Sequence, residues 1–263
     1  MELVGGIAAG ALGLGGLAFS ARYTWWRRRV EGVPVLMYHH VTNQLNGTRF
    51  AKLRVTTEAF ARQLDFLLAR GYRSITLARA MTGRLPPRAV VLTFDDGYRN
   101  FYTQAWPLLR ARGMTATVFL VTGCLGGYNR WDQDKGEPSE PIMDAAMVRE
   151  LAAQGVEFGG HSHSHRNLAQ LNERELVREV TGCQKVLSDL LGHPARSFSY
   201  PYGLWNRRVA QAVETAGFDQ ACLTRPGKLD AATPAYAVPR IIVKRSDDML
   251  DFRLKLAKAR SRL

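Results

Sequence analysis

The chain has 263 residues, 46% of them hydrophobic and 22% charged, which is enough apolar material for one large domain and too much for a disordered chain. Lys and Arg outnumber Asp and Glu by 36 to 23, a formal charge of +13, so the chain has either an anionic neighbour or simply a solvated basic surface. The three cysteines (Cys124, Cys183, Cys222) are dispersed and form no Cys-x-x-Cys pair, which argues against a disulfide framework and a thiolate metal site.

From Leu3 to Ala21 no residue is charged, about the minimum for a membrane-spanning helix. Tyr23, Trp25 and Trp26 follow, then Arg27-Arg28-Arg29, an interfacial aromatic and basic flank. A cleaved signal peptide is the competing reading, but the first residues carry Glu2 and no Lys or Arg. We read 1–21 as an N-terminal transmembrane anchor, 22–32 as a basic linker and 33–263 as the folded domain. The arginines favour the cytoplasmic side for that domain.

Val33 to Tyr38 is an apolar run of strand character ending in His39-His40. Thr57 to Arg70 carries Phe60, Leu64, Leu67 and Leu68 at helical spacing and closes on Gly71. Ala89 to Phe94 is a buried strand running into Asp95-Asp96-Gly97, and a helix follows to about Arg112. Thr115 to Val121 is the next strand. Thr122 to Pro141 is a long loop with Tyr128, Asn129, Arg130, Trp131 and Asp132, residues suited either to a sugar or to pinning the loop. Further strands precede His161, Tyr200 and Leu223, and a last one spans Val238 to Val243, with helices between them. About seven strands alternating with helices predict an α/β fold, a distorted (β/α) barrel with parallel strands and right-handed crossovers.

Tyr38-His39, Asp95-Asp96, His161 and Tyr202 each follow an apolar strand, and in such barrels the loops after the strands gather at one mouth. Asp95 and Asp96 repel one another and point to opposite faces unless the chain turns, which Gly97 permits. A nearby cation would relieve the repulsion, and a solvated turn is the plainer reading. His161 and His165 are four apart, so a helical turn would put them on one face. Two imidazoles and one carboxylate suit a divalent metal, zinc first, with other first-row metals also fitting. A surface histidine cluster is the alternative.

Together, Thr93-Phe94-Asp95-Asp96-Gly97, the His161/His165 spacing and Tyr200-Pro201-Tyr202-Gly203 resemble, in order and spacing, the first three motifs of the polysaccharide deacetylases with a NodB-like homology domain. The resemblance spans roughly 33–243. It implies that Asp95 is the general base, that Asp96, His161 and His165 hold the metal, and that the Tyr202 backbone N–H helps form an oxyanion hole. His163 lies between the ligands and is not implied as one. Two departures stand out. No His follows His193, where the family's general acid usually lies, and Ser199 stands where an Arg usually pairs with the base. Val35-Leu36-Met37-Tyr38-His39 resembles the N-terminal segment of the poly-β-1,6-N-acetylglucosamine deacetylases. There the motif order is circularly permuted and a His after the first strand is the acid. His39 matches it, and strand alternation turns His40 away. The sequence assigns no replacement for the arginine.

The resemblance therefore implies metal-dependent removal of N-acetyl groups from an amino-sugar polysaccharide or oligosaccharide. The alternatives are deacetylation or deformylation of a lipid-linked amino sugar, and an inactive membrane-tethered glycan-binding module. The expected partners are an N-acetylated glycan, the membrane through the N-terminal segment, and an anionic lipid or substrate. No nucleic-acid partner is expected, because nothing resembles a recognition helix and the basic residues are spread out.

Overall fold

The computed structural model describes residues 28–83 and 85–259. The expected anchor, 1–21, and residues 22–27 of the linker lie outside the described residues. Among the described residues no helix is long and apolar enough to cross a membrane.

Among the described residues ten strands form: β1 (Val35–Tyr38), β2 (His40–Val41), β3 (Arg54–Val55), β4 (Arg73–Ile75), β5 (Ala89–Phe94), β6 (Thr117–Leu120), β7 (Glu157–Gly160), β8 (Ser197–Ser199), β9 (Gln220–Cys222) and β10 (Ile241–Ile242). The helices are α1 (Thr57–Ala69), α2 (Leu77–Met81), α3 (Trp106–Arg110), α4 (Ala145–Ala153), α5 (Glu173–Leu191), α6 (Arg207–Thr215) and α7 (Met249–Lys258). Seven strands follow one another in the order β10-β1-β5-β6-β7-β8-β9, all parallel, and β4 pairs with the first half of β5. The sheet curls toward closure: a single parallel bridge joins Cys222 of β9 to Val238, just before β10. The result is the expected α/β architecture as a partly closed barrel. A short β2–β3 pair lies apart, beside the mouth.

Strands β1 and β5 are buried along their whole length, as strands covered on both faces must be. Alternation sorts their side chains. Leu36, Tyr38, Val90, Leu92 and Phe94 join the large cluster packed under the helices. Val35 and Val91 join the smaller cluster with Phe119, Cys222 and Val238. Met37 and Thr93 are register partners. Extending that alternation by one step past each strand puts His39 and Asp95 on the same side, the side of Val35 and Val91.

Helix α5 begins on a capping box, in which Asn172 accepts from the Glu175 N–H and the Glu175 side chain accepts from the Asn172 N–H. It ends on Gly192 at φ 79°. Leu176, Val180, Cys183 and Leu187 make its buried stripe, and burying one such leucine is worth about 2 kcal/mol. Glu179 sits on that same buried stripe, and its role lies in the site.

Candidate active site

The polar residues that follow the strands meet in one cavity of about 320 Å³, lined by His39, Asp95, Asp96, His161, His165 and Tyr202 among others. Each residue expected to carry the chemistry is brought there, whereas Tyr128, Arg130 and His163 are not among the lining residues.

Four of the residues around this site are held in the left-handed region: Asp96 at φ 75°, Ser162 at 62°, His165 at 60° and Tyr202 at 59°. Non-glycine residues pay for that geometry and tend to collect at functional sites. At the acidic pair, the turn expected at Gly97 begins one residue earlier, at Asp96, and continues through Gly97 at φ 79°. This reversal brings both carboxyls to the cavity despite strand alternation. Glycine suits position 97, because its positive φ strains an L side chain and a Cβ there would lie 2.6 Å from the Leu120 side chain.

The histidines converge without the helical turn expected for them. Residues 161–165 form an irregular loop after β7. Ser162 Oγ accepts from the His165 N–H at 2.9 Å. The Glu179 carboxylate accepts from the N–H groups of His163 (3.0 Å) and Ser164 (2.8 Å) and from the Ser164 hydroxyl. Helix α5 thus clamps the loop through one buried acid, and the clamp replaces helical geometry. The His161 and His165 rings end 4.8 Å apart, edge to face. His163 turns aside to Thr122, with Nδ1 3.2 Å from Oγ1.

Asp96 Oδ1 lies 3.4 Å from His161 Nε2 and 3.3 Å from His165 Nε2, and the three groups are buried. His161 Nδ1 is 2.7 Å from the Ser199 carbonyl oxygen. A carbonyl only accepts, so Nδ1 carries the proton and neutral His161 presents a lone pair at Nε2. Asp96 Oδ1 is buried with no hydrogen-bond donor. A carboxylate oxygen facing the His161 lone pair in a buried pocket is what a cation satisfies, and the donor set of one carboxylate and two imidazoles fits a divalent metal. Burial works to raise the Asp96 pKa, but the two imidazoles hold it well below the usual carboxylate range. Burial likewise opposes charge on His161, yet Asp96 and Asp95 outweigh it and raise its pKa, whereas at His165 burial prevails and lowers it.

Asp95 has a partner that the sequence reading missed. Arg240, 0% exposed, donates from Nη1 to Oδ1 at 2.6 Å and from Nη2 to Oδ2 at 2.7 Å. Its other N–H groups reach Thr93 Oγ1 (3.2 Å), Ser199 Oγ (2.9 Å) and the Leu223 carbonyl (2.9 Å). All five guanidinium donors are used. The arginine expected at Ser199 therefore comes from just before β10, and small Ser199 supports it. Burial tends to raise the Asp95 pKa, but Arg240 more than offsets this and the carboxyl stays below its ordinary value. One signal was available: a lone Arg inside the apolar run Val238 to Val243 must either leave the core or find an anion.

His39 lies on the cavity wall with a buried Nδ1 that has no hydrogen-bond partner. His40 also lines the cavity, but other contacts hold its ring. It stacks on Tyr98 at 3.7 Å, its Nδ1 is 2.8 Å from Asn100 Nδ2, and burial, then Arg54, push its pKa well down.

Two loops form the rim. Trp131, from the long loop, lies 4.8 Å from the His165 ring and also packs against the Tyr98, Val121, Cys124 and Ile142 cluster. It both lines the cavity and pins the loop. Tyr128 is exposed and does not line the cavity. Asn129 ties the loop to itself, accepting from the Glu140 N–H at 2.7 Å. Across the mouth, Glu137 accepts from Thr48 Oγ1 (2.5 Å) and the Arg49 N–H (2.9 Å), and Glu140 pairs with Arg54 at 2.6 Å. Tyr202, 45% exposed, stands at the opening, with Lys135 Nζ 3.3 Å from its hydroxyl and 5.0 Å from its ring centre. It is the second residue of a 3₁₀ turn (Pro201–Gly203), where N–H groups have no acceptor inside the turn.

Comparison with known proteins identifies the family. Residues 82–221, more than half of the chain, match the family model described as polysaccharide deacetylase. The chain is 25% identical over 214 residues to the poly-beta-1,6-N-acetyl-D-glucosamine N-deacetylase of Staphylococcus aureus (strain MRSA252), covering 76% of this chain and 71% of that one. Among solved structures it is similar to IcaB from Ammonifex degensii, at 27% identity and a TM-score of 0.72 over 89% of this chain and 100% of that one. A polysaccharide deacetylase from Bacillus cereus shares the fold, with a TM-score of 0.75 at 20% identity over 86% of this chain and 69% of that one. The seven-strand parallel sheet, the strand-end motifs and these matches lead to one conclusion: the chain belongs to the polysaccharide deacetylase family, hydrolases of carbohydrate N-acetyl amide bonds.

Proposed function

We propose that this chain removes N-acetyl groups from an amino-sugar polysaccharide or oligosaccharide with a divalent metal, zinc first among the fitting ions, held by Asp96, His161 and His165. The observation that carries the proposal is the buried, donor-free Asp96 Oδ1 facing two imidazole Nε2 atoms. When bound, such an ion supplies Lewis acidity to a carbonyl and acidifies water.

The remaining chemistry belongs to the chain. Asp95 stays ionised beside Arg240 and accepts the proton of the attacking water at a carboxylate oxygen. The Tyr202 N–H donates to the oxygen that gains charge as the amide carbonyl becomes tetrahedral. His39 delivers a proton to the departing amine, which leaves as the free amino sugar while acetate is released. Arg240 and Ser199 hold the base in place. The two departures from the family pattern thus have counterparts, Arg240 bonded to Asp95 and His39 on the wall of the same cavity, which favours an active enzyme over an inactive glycan-binding module. Membrane attachment through 1–21, with 33–263 on the cytoplasmic side, is part of the same proposal and is supported by the uncharged run and the arginines after it.

The test is acetate release from a panel of N-acetylated glycans, before and after chelation and with metal added back. Asp95→Asn and Asp96→Ala accompany the wild type. Activity that survives complete metal removal, or that persists in Asp95→Asn, would defeat the proposal. A pure protein that binds no stoichiometric metal and releases no acetate would instead support the binding-module reading.

A further inference from the structure

A second cleft, of about 530 Å³, opens at the other end of the barrel. It is bordered by Val33 and Pro34, which lead into β1, and by Ala89, the first residue of β5. The catalytic residues follow the last residues of the same two strands. Six residues of β5 at about 3.3 Å each separate the two openings by roughly 20 Å, on opposite ends of the sheet.

The cleft is strongly basic. Arg29, Arg70, Arg88, Arg253 and Lys228 border it, and Glu31 is the sole acid on its wall. Among the described residues, none of these five cations forms an ion pair with a carboxylate. Arg70 and Arg253 both lie over the Phe66 ring, at 5.4 and 5.1 Å from its centre, so two like charges are held at one aromatic ring. Arg88 spends Nη1 on the Arg70 carbonyl, which fixes it beside that pair. Five clustered cations facing one carboxylate repel one another, and a further anion among them reduces that cost. Val30 and Leu85 add exposed apolar side chains at the rim.

Position selects the anion. Arg29 and Val30 enter the fold at this cleft, the Val30 N–H donating to the Ala257 carbonyl at 3.0 Å. Immediately upstream in the sequence stand Trp25-Trp26-Arg27-Arg28, preceded by the uncharged run Leu3 to Ala21. A bilayer is the one anionic partner that such a run would bring to this end of the domain.

We propose that this basal cleft is a docking site for the phosphate headgroups of anionic phospholipids, seating the barrel base-down on the bilayer. The catalytic mouth then faces away from the lipid, toward a glycan that arrives from the aqueous phase. In that arrangement a lipid-linked sugar does not reach Asp95.

The experiment uses the full chain in nanodiscs of phosphatidylcholine alone or of an equimolar mixture with phosphatidylglycerol, read by amide hydrogen exchange. Phosphatidylglycerol should slow exchange across 66–72, 85–90 and 253–257 while leaving 174–178 unchanged. The triple variant Arg70→Gln, Arg88→Gln, Arg253→Gln should lose this protection. Its affinity for anionic nanodiscs should fall by about a hundredfold, at roughly fivefold per cation. A charge-matched control (Arg174→Gln, Arg178→Gln, Arg207→Gln) should keep both, and thermal melts verify that both variants fold. Equal protection in pure phosphatidylcholine, equal losses in the two triple variants, or the same protection from free glycerol phosphate without lipid would each overturn the proposal. None of these readouts depends on deacetylase activity.

Discussion

The guanidinium of Arg240 grips both carboxylate oxygens of Asp95, at 2.6 and 2.7 Å, from 145 residues away in sequence. Both groups are buried, so neither can be removed without stranding the other. Arg240→Met should cost about 3 to 5 kcal/mol in stability, measured by urea unfolding. It should also raise the Asp95 pKa, because the guanidinium, the largest influence opposing burial, is then gone. The sign follows from linkage. A depressed carboxyl contributes stability that is present above its unfolded value, about 3.9, and lost as pH falls through the folded one. In the variant the folded value rises, that stabilising contribution shrinks, and the acidic limb of the kcat/KM profile should move up. Adding Ser199→Arg should return the limb toward its wild-type position if the guanidinium, rather than its strand of origin, is what matters.

His39 can be separated from the metal ligands. His39→Ala should lower kcat by on the order of a hundredfold to ten-thousandfold, the usual worth of a general acid. Metal stoichiometry should stay unchanged, because His39 is outside the Asp96, His161 and His165 group. Full activity in this variant would remove His39 from the mechanism. The parallel variant His40→Ala should act through structure, since it loses the Tyr98 stack and the Asn100 contact, and should show a lower melting temperature.

Glu179 is a positioning residue. It holds the N–H groups of His163 and Ser164 while Ser162 and His165 stay left-handed. Glu179→Ala should weaken metal affinity by about ten- to a hundredfold, the range for residues that orient ligands. Calorimetric metal titration checks this directly. Glu179→Gln, which keeps one acceptor oxygen, should recover part of the loss. Unchanged affinity in Glu179→Ala would show that the loop holds itself.

The cysteines should be inert in the folded protein. All three are free and buried, and burial pushes the Cys183 and Cys222 thiols up to about 12. Alkylation at pH 8 should be slow until denaturant is added, after which three equivalents react. Raised thiols also tie stability to alkaline pH. Their contribution is complete below the unfolded thiol pKa, about 8.5, and is lost as pH rises from there toward about 12. Replacing both Cys183 and Cys222 with Ala should flatten that alkaline decline in melting temperature.

What the sequence determined by itself was local. The apolar runs at Val35 to Tyr38 and Ala89 to Phe94 announced buried parallel strands, because only doubly covered strands are apolar throughout. The strand-end positions of His39, Asp95, His161 and Tyr202 announced a common mouth. Residue type and spacing singled out Asp96, His161 and His165 as a possible ligand set. The tertiary structure decided everything that depends on contacts between distant segments. His161 and His165 meet through a loop clamped by Glu179, since hydrogen bonds from a neighbouring helix outweigh the local helical option. Asp96 itself turns left-handed, which periodicity cannot reveal. Arg240 takes the place that Ser199 leaves open, because a buried guanidinium is recruited by whichever carboxylate the fold brings within 3 Å, and sequence distance does not enter that condition.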